Sequence, residues 1–347
     1  MRYILRFKSS NDIQKDARDL AKKSKIQINK CFGKSLLGCL TNEISDKEVE
    51  LLKTFAKIEV EPDYDLHPCW AVENVRNVDL GSLSGVAEAD TDIDVFVLDS
   101  GVDASHPSLN VVESRTFMPD STDVSDVVGH GTQVAGCIGS RENEIGIAPG
   151  AKIHSFRITN DAGISTSSAA ISAIDAVIDF KTNNPSLPVV VNLAHGVNTG
   201  STAYTALDLA VQNAVQIGIV VVVAAGNERK DVKYFTPAHT TEAIVVGAFD
   251  KTLRFTTFSN YGRTLDILAP GQDVTTTSND PNARSTLATG TSISSAFVAG
   301  ACALLLVSLP NATPQEIRDE LVRIAQEDTS RVFACPIFTV NIRTVVV

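Results

Sequence analysis

The chain has 347 residues, 44% hydrophobic and 20% charged, with a formal net charge of −11 at pH 7. This is the make-up of an ordinary globular protein with room for one large domain or two unequal ones. The charge excludes nucleic acid and anionic membrane as general partners, and the longest apolar stretches, residues 217–225 and 296–307, are too short to span a bilayer. The charge is also uneven, with 13 basic and 11 acidic side chains in residues 1–66 against 17 and 30 in the remainder. A mildly basic segment before a strongly acidic body either suits an intramolecular partner or is an accident of composition.

The first segment reads as a small α+β unit. Tyr3–Phe7 alternates as a strand does, residues 11–25 have a polar helical face, and residues 26–32 and 36–40 form two strand patterns joined around Gly33-Lys34. Ser45 with Glu48 three residues later is a capping-box signal for a second helix running to about residue 57, and residues 58–60 supply a last strand. The order β-α-β-β-α-β is the ferredoxin-like arrangement.

From about Pro68 apolar strands alternate with longer helical stretches, which predicts an α/β fold with a parallel sheet and helices on both faces. The strand candidates are residues 94–98, 153–158, 189–193, 219–224 and 243–248. Helices are expected at 130–139, 167–183, 203–217, 292–308 and 313–325, with Pro310 stopping the fourth and Thr313-Pro314-Gln315-Glu316 starting the fifth.

Three short stretches carry chemistry. Val95-Phe96-Val97-Leu98-Asp99-Ser100-Gly101 ends an apolar strand on an acid, Gly129-His130-Gly131-Thr132 opens a helix, and Gly290-Thr291-Ser292 leads into the long apolar helix. Singly, each has a bland explanation: an acid capping a turn, a structural histidine, a serine acting as N-cap. Together they supply an acid, a base and a nucleophile. A serine hydroxyl attacks an amide only when an imidazole takes its proton, and that imidazole is held in the right tautomer by a buried carboxylate. The chain order Asp…His…Ser is that of subtilisin, and at these residues the chain resembles the subtilisin-like serine proteases (subtilases), with the short segment 139–146 similar to the proteinase K branch.

That resemblance implies a subtilisin-like three-layer catalytic domain at residues 67–347, preceded by an inhibitor-type propeptide at residues 1–66 that assists folding and occupies the site through its C-terminal strand. The implied roles are Asp99 as orienting carboxylate, His130 as base and then acid, Ser292 as nucleophile, and the Asn227 amide as oxyanion donor in Ala224-Ala225-Gly226-Asn227. An extended peptide would lie along Ala194, His195 and Gly196 and against Ala224, Ala225 and Gly226. The resemblance further implies polypeptide substrates, the propeptide as intramolecular inhibitor, a monomer, no cofactor for the chemistry and no catalytic metal, while leaving room for structural calcium. Secretion is expected of the family, although residues 1–8 carry no signal-peptide pattern.

The chain departs from the family pattern at several places. Gln133 stands where a second histidine is common, Ala296-Phe297 where Pro-His usually follows the nucleophile, and His195 where an apolar pocket residue is usual. This last change puts the usual preference for bulky apolar side chains in question and also offers a second imidazole as an alternative base. Glu228 beside the primary pocket would accept a basic residue or is simply solvated. Cys137 and Cys302 are expected to be buried thiols, and a Cys69–Cys335 bridge is compatible with the sequence. Only Asp65-Leu66-His67 separates Asp63-Tyr64 from Pro68-Cys69-Trp70, so cleavage near Leu66 is expected to be hindered, or the propeptide to stay engaged. The competing function is a non-proteolytic binding protein whose retained propeptide blocks the triad. An α/β-hydrolase esterase is disfavoured, because Ser292 lacks the Gly-x-Ser-x-Gly elbow and the triad order differs.

Overall fold

The computed structural model describes residues 3–7, 13–32, 38–41, 44–55, 58–62, 92–119, 121–142 and 145–327. The chain divides into two units, Met1–His67 and Pro68–Val347. The first contains β1 (Tyr3–Phe7), α1 (Ile13–Ser24), β2 (Ile28–Phe32), β3 (Gly38–Thr41), α2 (Asp46–Lys53) and β4 (Ile58–Pro62). Its sheet runs β2-β3-β1-β4 with every neighbour antiparallel, the order a βαββαβ chain produces when each helix crosses over one strand. Leu5, Leu20, Ile26, Ile44, Val49 and Leu52 form its core. The capping signal read from the sequence is in place: the Glu48 carboxylate accepts from the Ser45 N–H and hydroxyl, each at 2.7 Å. Those bonds lower the Glu48 pKa. The helix is shorter than expected, because the Thr54 hydroxyl donates to the Leu51 carbonyl and closes the last turn.

The second unit is built on a seven-stranded sheet. In chain order its described elements are β5 (Asp94–Asp99), β6 (Val111–Thr116), α3 (His130–Gly139), β7 (Lys152–Arg157), α4 (Ser167–Asn183), β8 (Val189–Leu193), β9 (Val197–Asn198), α5 (Ala206–Gln216), β10 (Val220–Ala224), β11 (Phe235–Thr236), β12 (Ile244–Phe249), β13 (Ile267–Pro270), β14 (Val274–Thr277), β15 (Ser285–Ala288), α6 (Thr291–Ser308) and α7 (Pro314–Glu327). The sheet order is β13-β12-β10-β8-β5-β7-β6, with all neighbours parallel. β9 pairs with β11 and β14 with β15 as separate antiparallel ribbons.

The apolar strands segregate their side chains with a period of two. Val95, Val97, Val190, Val220 and Val222 face a core shared with α3, α6 and α7, while Phe96, Leu98, Val191, Val221 and Val223 face one shared with α4 and α5. Burial on both faces explains why these strands read as continuous apolar runs. Helix α6 is long and apolar enough to cross a membrane, but it is buried almost throughout, from Thr291 to Leu306, inside the first of these cores. A helix apolar all round is what such a position requires. Phe297 and Ala296, in place of the family's Pro-His, are both fully buried there.

The sheet also fixes where the chemistry falls. The chain leaves β5 toward β7 and later returns to β8 on the other side, so the carboxyl ends of β5 and β8 flank a topological switch point, where open α/β sheets place their sites. Leu98 pairs with Leu193, which sets Asp99 beside Ala194 and His195.

Candidate active site

Asp99 is fully buried at the end of β5, and its Oδ1 lies 2.7 Å from His130 Nδ1. The Ser100 N–H donates to the same oxygen at 2.7 Å. Burial pushes the Asp99 carboxyl up, but the charges of His130 and His195 outweigh it and hold the group well below the usual carboxylate range. The Asp99 charge in turn raises His130 above its ordinary 6.5, against the opposing effect of burial. Since this folded value lies above the unfolded one, His130's share of the stabilisation is complete below its unfolded pKa and disappears as pH rises through the folded value, whereas the share of the lowered Asp99 carboxyl is lost as pH falls through its own folded value. For catalysis the sign is different, because the base must be neutral. The acid limb of kcat/KM is therefore expected above pH 6.5, and an NMR titration of His130 should give the same midpoint.

His130 is presented by a tightly clamped helix start. Asp126 Oδ1 accepts from the Ser100 hydroxyl and the Gly129 N–H, both at 2.7 Å, and its Oδ2 accepts from the Thr132 N–H at 2.8 Å and hydroxyl at 2.6 Å. Ser100 Oγ accepts from the Gly131 N–H at 2.9 Å, which completes the loop back to the residue after Asp99. Gly131 itself lies against backbone: a methyl group there would sit 1.9 Å from the Gly101 carbonyl oxygen. Gly131→Ala is therefore expected to cost about 3 kcal/mol or more of stability, read as a lowered thermal midpoint.

Ser292 lies in the first turn of α6, nearly buried, with its hydroxyl donating to the Ala194 carbonyl at 3.3 Å. It makes no hydrogen bond to His130. Such bonds often tighten only with substrate in place. The helix start is fixed from both sides. The Thr291 N–H and hydroxyl donate to Asn227 Oδ1 at 2.9 and 3.0 Å, the Gly226 N–H donates to Thr291 Oγ1 at 3.0 Å, and the Ser294 hydroxyl faces the Ala269 and Pro270 carbonyls at 3.1 Å.

The two donors from Thr291 also fix the Asn227 amide, since an oxygen must face them. Its NH₂ is left as a donor on the exposed side of the turn. That turn is held by Asn260, a buried residue that motif reading did not single out. Its Nδ2 donates to the Ala225 carbonyl at 2.8 Å, and its Oδ1 accepts from the Glu228 and Lys230 N–H groups. Ala224 and Gly226 are half-buried, whereas Ala225 packs into the core beneath them.

On the opposite side, Ala194 and His195 are half-buried and Gly196 exposed. Gly196 has a role in the fold itself, since a Cβ there would meet the Thr236 carbonyl oxygen at 2.8 Å. His195 Nε2 is 3.4 Å from Asp99 Oδ1, and its ring stands edge-on to His130 with centroids 5.6 Å apart. Glu228 pairs at 2.6 Å with Lys230, whose hydrogen bond lowers its pKa, so its charge is already partly answered before any substrate arrives. Cys137 and Cys302 are buried thiols, and burial pushes Cys302 up. The Cys69–Cys335 bridge and the Leu66 junction lie outside the described residues.

Among the described residues, the one group of three or more His, Cys, Asp or Glu side chains close enough to share an ion is Asp99, His130 and His195. Two imidazoles do not suit Ca²⁺, which takes a shell of oxygens.

A buried carboxylate on an imidazole at a parallel sheet's carboxyl edge, with a serine at the head of a buried helix bonded to the end of the neighbouring strand, is the set of groups that serine hydrolases use, here on an α/β scaffold. Comparison with known proteins narrows the class. The subtilase family (Peptidase_S8) matches residues 90–335. The extracellular serine proteinase of Thermus sp. (strain Rt41A) is 32% identical over 86% of this chain and 73% of its own, and subtilisin E of Bacillus subtilis (strain 168) is 32% identical over 92% and 84%. A crystal structure of a cold-adapted subtilisin-like serine proteinase superposes with a TM-score of 0.63 at 32% identity, covering 71% of this chain and 86% of that one. The chain belongs to the subtilase family. It is accordingly a serine-type endopeptidase with a subtilisin-like α/β fold.

Proposed function

We propose that the chain hydrolyses peptide bonds through an Asp99–His130–Ser292 triad and is made as a self-inhibited precursor of the proteinase K-like kind. The observation that carries this reading is the 2.7 Å contact between His130 Nδ1 and buried Asp99, which leaves Nε2 as the base. With a peptide extended beside Ala194, His195 and Gly196, His130 takes the Ser292 proton as Oγ attacks the scissile carbonyl. The oxyanion is met by the Ser292 N–H and the Asn227 NH₂. His130 then returns the proton to the leaving amine, and water, activated the same way, releases the acyl group. No cofactor enters these steps.

In the same proposal the unit Met1–His67 is an inhibitor-type propeptide and the following unit, acting as a monomer, the enzyme; its ferredoxin-like sheet order supports this. Export from the cell is part of the proposal, supported by the name of the Thermus relative.

Asn227→Ala is expected to lower kcat by roughly 10²–10³-fold with little change in KM, a magnitude taken from subtilisin itself rather than from this geometry. The reading as a whole is tested by a fluorophosphonate probe on the full chain, with peptide mapping of the adduct. Labelling at Ser292 supports it. A chain that stays unlabelled after mild proteolysis would instead be the blocked, non-proteolytic binding protein.

A further inference from the structure

Asp99, His130 and His195 place one ligand atom each within 4.8 Å of one another. The proposed mechanism uses the first two in the chemistry and places His195 only alongside the extended peptide. His195 Nε2 is buried with only the long 3.4 Å approach to Asp99 Oδ1, and Asp99 Oδ2 is buried with no hydrogen-bond partner among the described residues. Asp99 is fully buried. Buried polar atoms left unpaired cost free energy, and these two belong to side chains at the ends of neighbouring strands, one an imidazole and the other a carboxylate. Most other buried polar side chains among the described residues are satisfied: Asp126 by backbone N–H groups and hydroxyls, Asn260 by backbone groups, and His154 by Glu113 and Asp94 at 2.8 Å each.

We propose that Asp99, His130 and His195 form a binding site for a divalent transition ion of the Zn²⁺ type, and that the bound ion reversibly inhibits the enzyme. The donor set, two imidazoles and one carboxylate, selects such an ion over Ca²⁺ or Mg²⁺. A tetrahedral ion with bonds of about 2.0–2.1 Å separates its ligands by about 3.3 Å. The His195 Nε2–Asp99 Oδ1 distance of 3.4 Å already matches that spacing. The His130 Nδ1–Asp99 Oδ1 distance of 2.7 Å must open by roughly half an ångström, and the His130 side chain, 31% exposed, has room to turn. Water fills the fourth position.

Inhibition follows from proton bookkeeping. Neutral His130 carries its proton on Nδ1, toward Asp99. When the ion binds Nδ1, that proton is displaced and the ring keeps one proton, now on Nε2; if His130 was charged beforehand, one proton is released to solvent. A ring protonated at Nε2 cannot accept the Ser292 proton. The inference rests on the reading of His130 as the base, and it is specific to this chain because it needs His195.

The test uses the full chain carrying Ser292→Ala, titrated with ZnCl₂ by calorimetry, beside the same chain with His195→Leu or His195→Gln added. Loss of a direct ligand should weaken the His195-dependent site by more than the ~10–100-fold that outer partners cost, whereas CaCl₂ should not compete. In parallel, zinc should inhibit peptide hydrolysis by the Ser292 enzyme, with reversal by EDTA, and the His195 variants should resist it relative to their own metal-free rates. Equal zinc affinity with and without His195, or no zinc binding by the Ser292→Ala chain, overturns the proposal. Zinc binding that depends on His195 in a chain whose Ser292 form cuts no peptide keeps the ion site and removes the proteolytic reading.

Discussion

Replacing Ser292 with alanine is expected to abolish peptide hydrolysis, with a fall in kcat of about 10⁶-fold. That magnitude is known for subtilisin and is borrowed here. The physical reason is local. In the proposed mechanism Ser292 supplies the oxygen that forms the acyl bond, while the side-chain hydrogen bond it makes among the described residues, to the Ala194 carbonyl, is long at 3.3 Å and contributes little to the fold. Truncation at the Oγ removes one weak bond and creates almost no cavity, so the thermal midpoint should stay within a few degrees. Loss of activity with an unchanged midpoint identifies a nucleophile. A drop of less than about tenfold would mean that another group performs the attack.

Asp99→Asn is the second large effect, expected at about 10⁴-fold in kcat. Asparagine fits the space, but its NH₂ facing His130 Nδ1 stabilises the tautomer with the proton on Nε2, which cannot act as base. The change also removes the charge that holds His130 above 6.5, so the residual activity should have its acid limb at lower pH than the parent. His195 sharpens the result. Its Nε2 approaches the same Asp99 oxygen, so if it served as an alternative base, activity in Asp99→Asn would depend on it. A His195→Leu change that leaves the residual rate of Asp99→Asn intact is the expected result.

The site was legible in the sequence where its chemistry sits on regular elements. Asp99 ends a strand buried on both faces, so an apolar run stopping at an acid marked it. His130 opens a helix between glycines, and Ser292 heads a helix apolar on every side. Asp126 and Asn260 were not singled out, because Asp126 is held by two backbone N–H groups and two hydroxyls and Asn260 by backbone groups alone, and backbone partners leave no pattern in side-chain identity. Asp126 does stand near a helix start, where an acid is a weak signal; Asn260 is 35 residues from the Ala225 carbonyl it holds. The contact between His195 and Asp99 depends on β5 and β8 being neighbours in register, and pairing partners are not written into either strand.

The fold shows the same division. Both capping residues of α2 were readable, yet its early end depends on one hydroxyl at Thr54. Neither edge strand of the sheet was among the strand candidates: β13 is only four residues long and ends on Pro270, and β6, Val-Val-Glu-Ser-Arg-Thr, is half-exposed along most of its length and has neither a clean alternation nor an apolar run. The ribbon of β14 and β15 escaped for a related reason, since its Thr- and Ser-rich strands resemble loop composition.

The central claim, that this triad cuts peptide bonds and first acts on its own chain, is tested most directly by the intact masses of the purified full chain and its Ser292→Ala variant. Of the two expectations for the short junction, the account takes a propeptide that is cut and stays engaged, and it predicts two fragments dividing near residue 66 for the wild type and a single intact mass for the variant. Two intact chains that also leave an added peptide uncut, or equal cleavage of both, would contradict it.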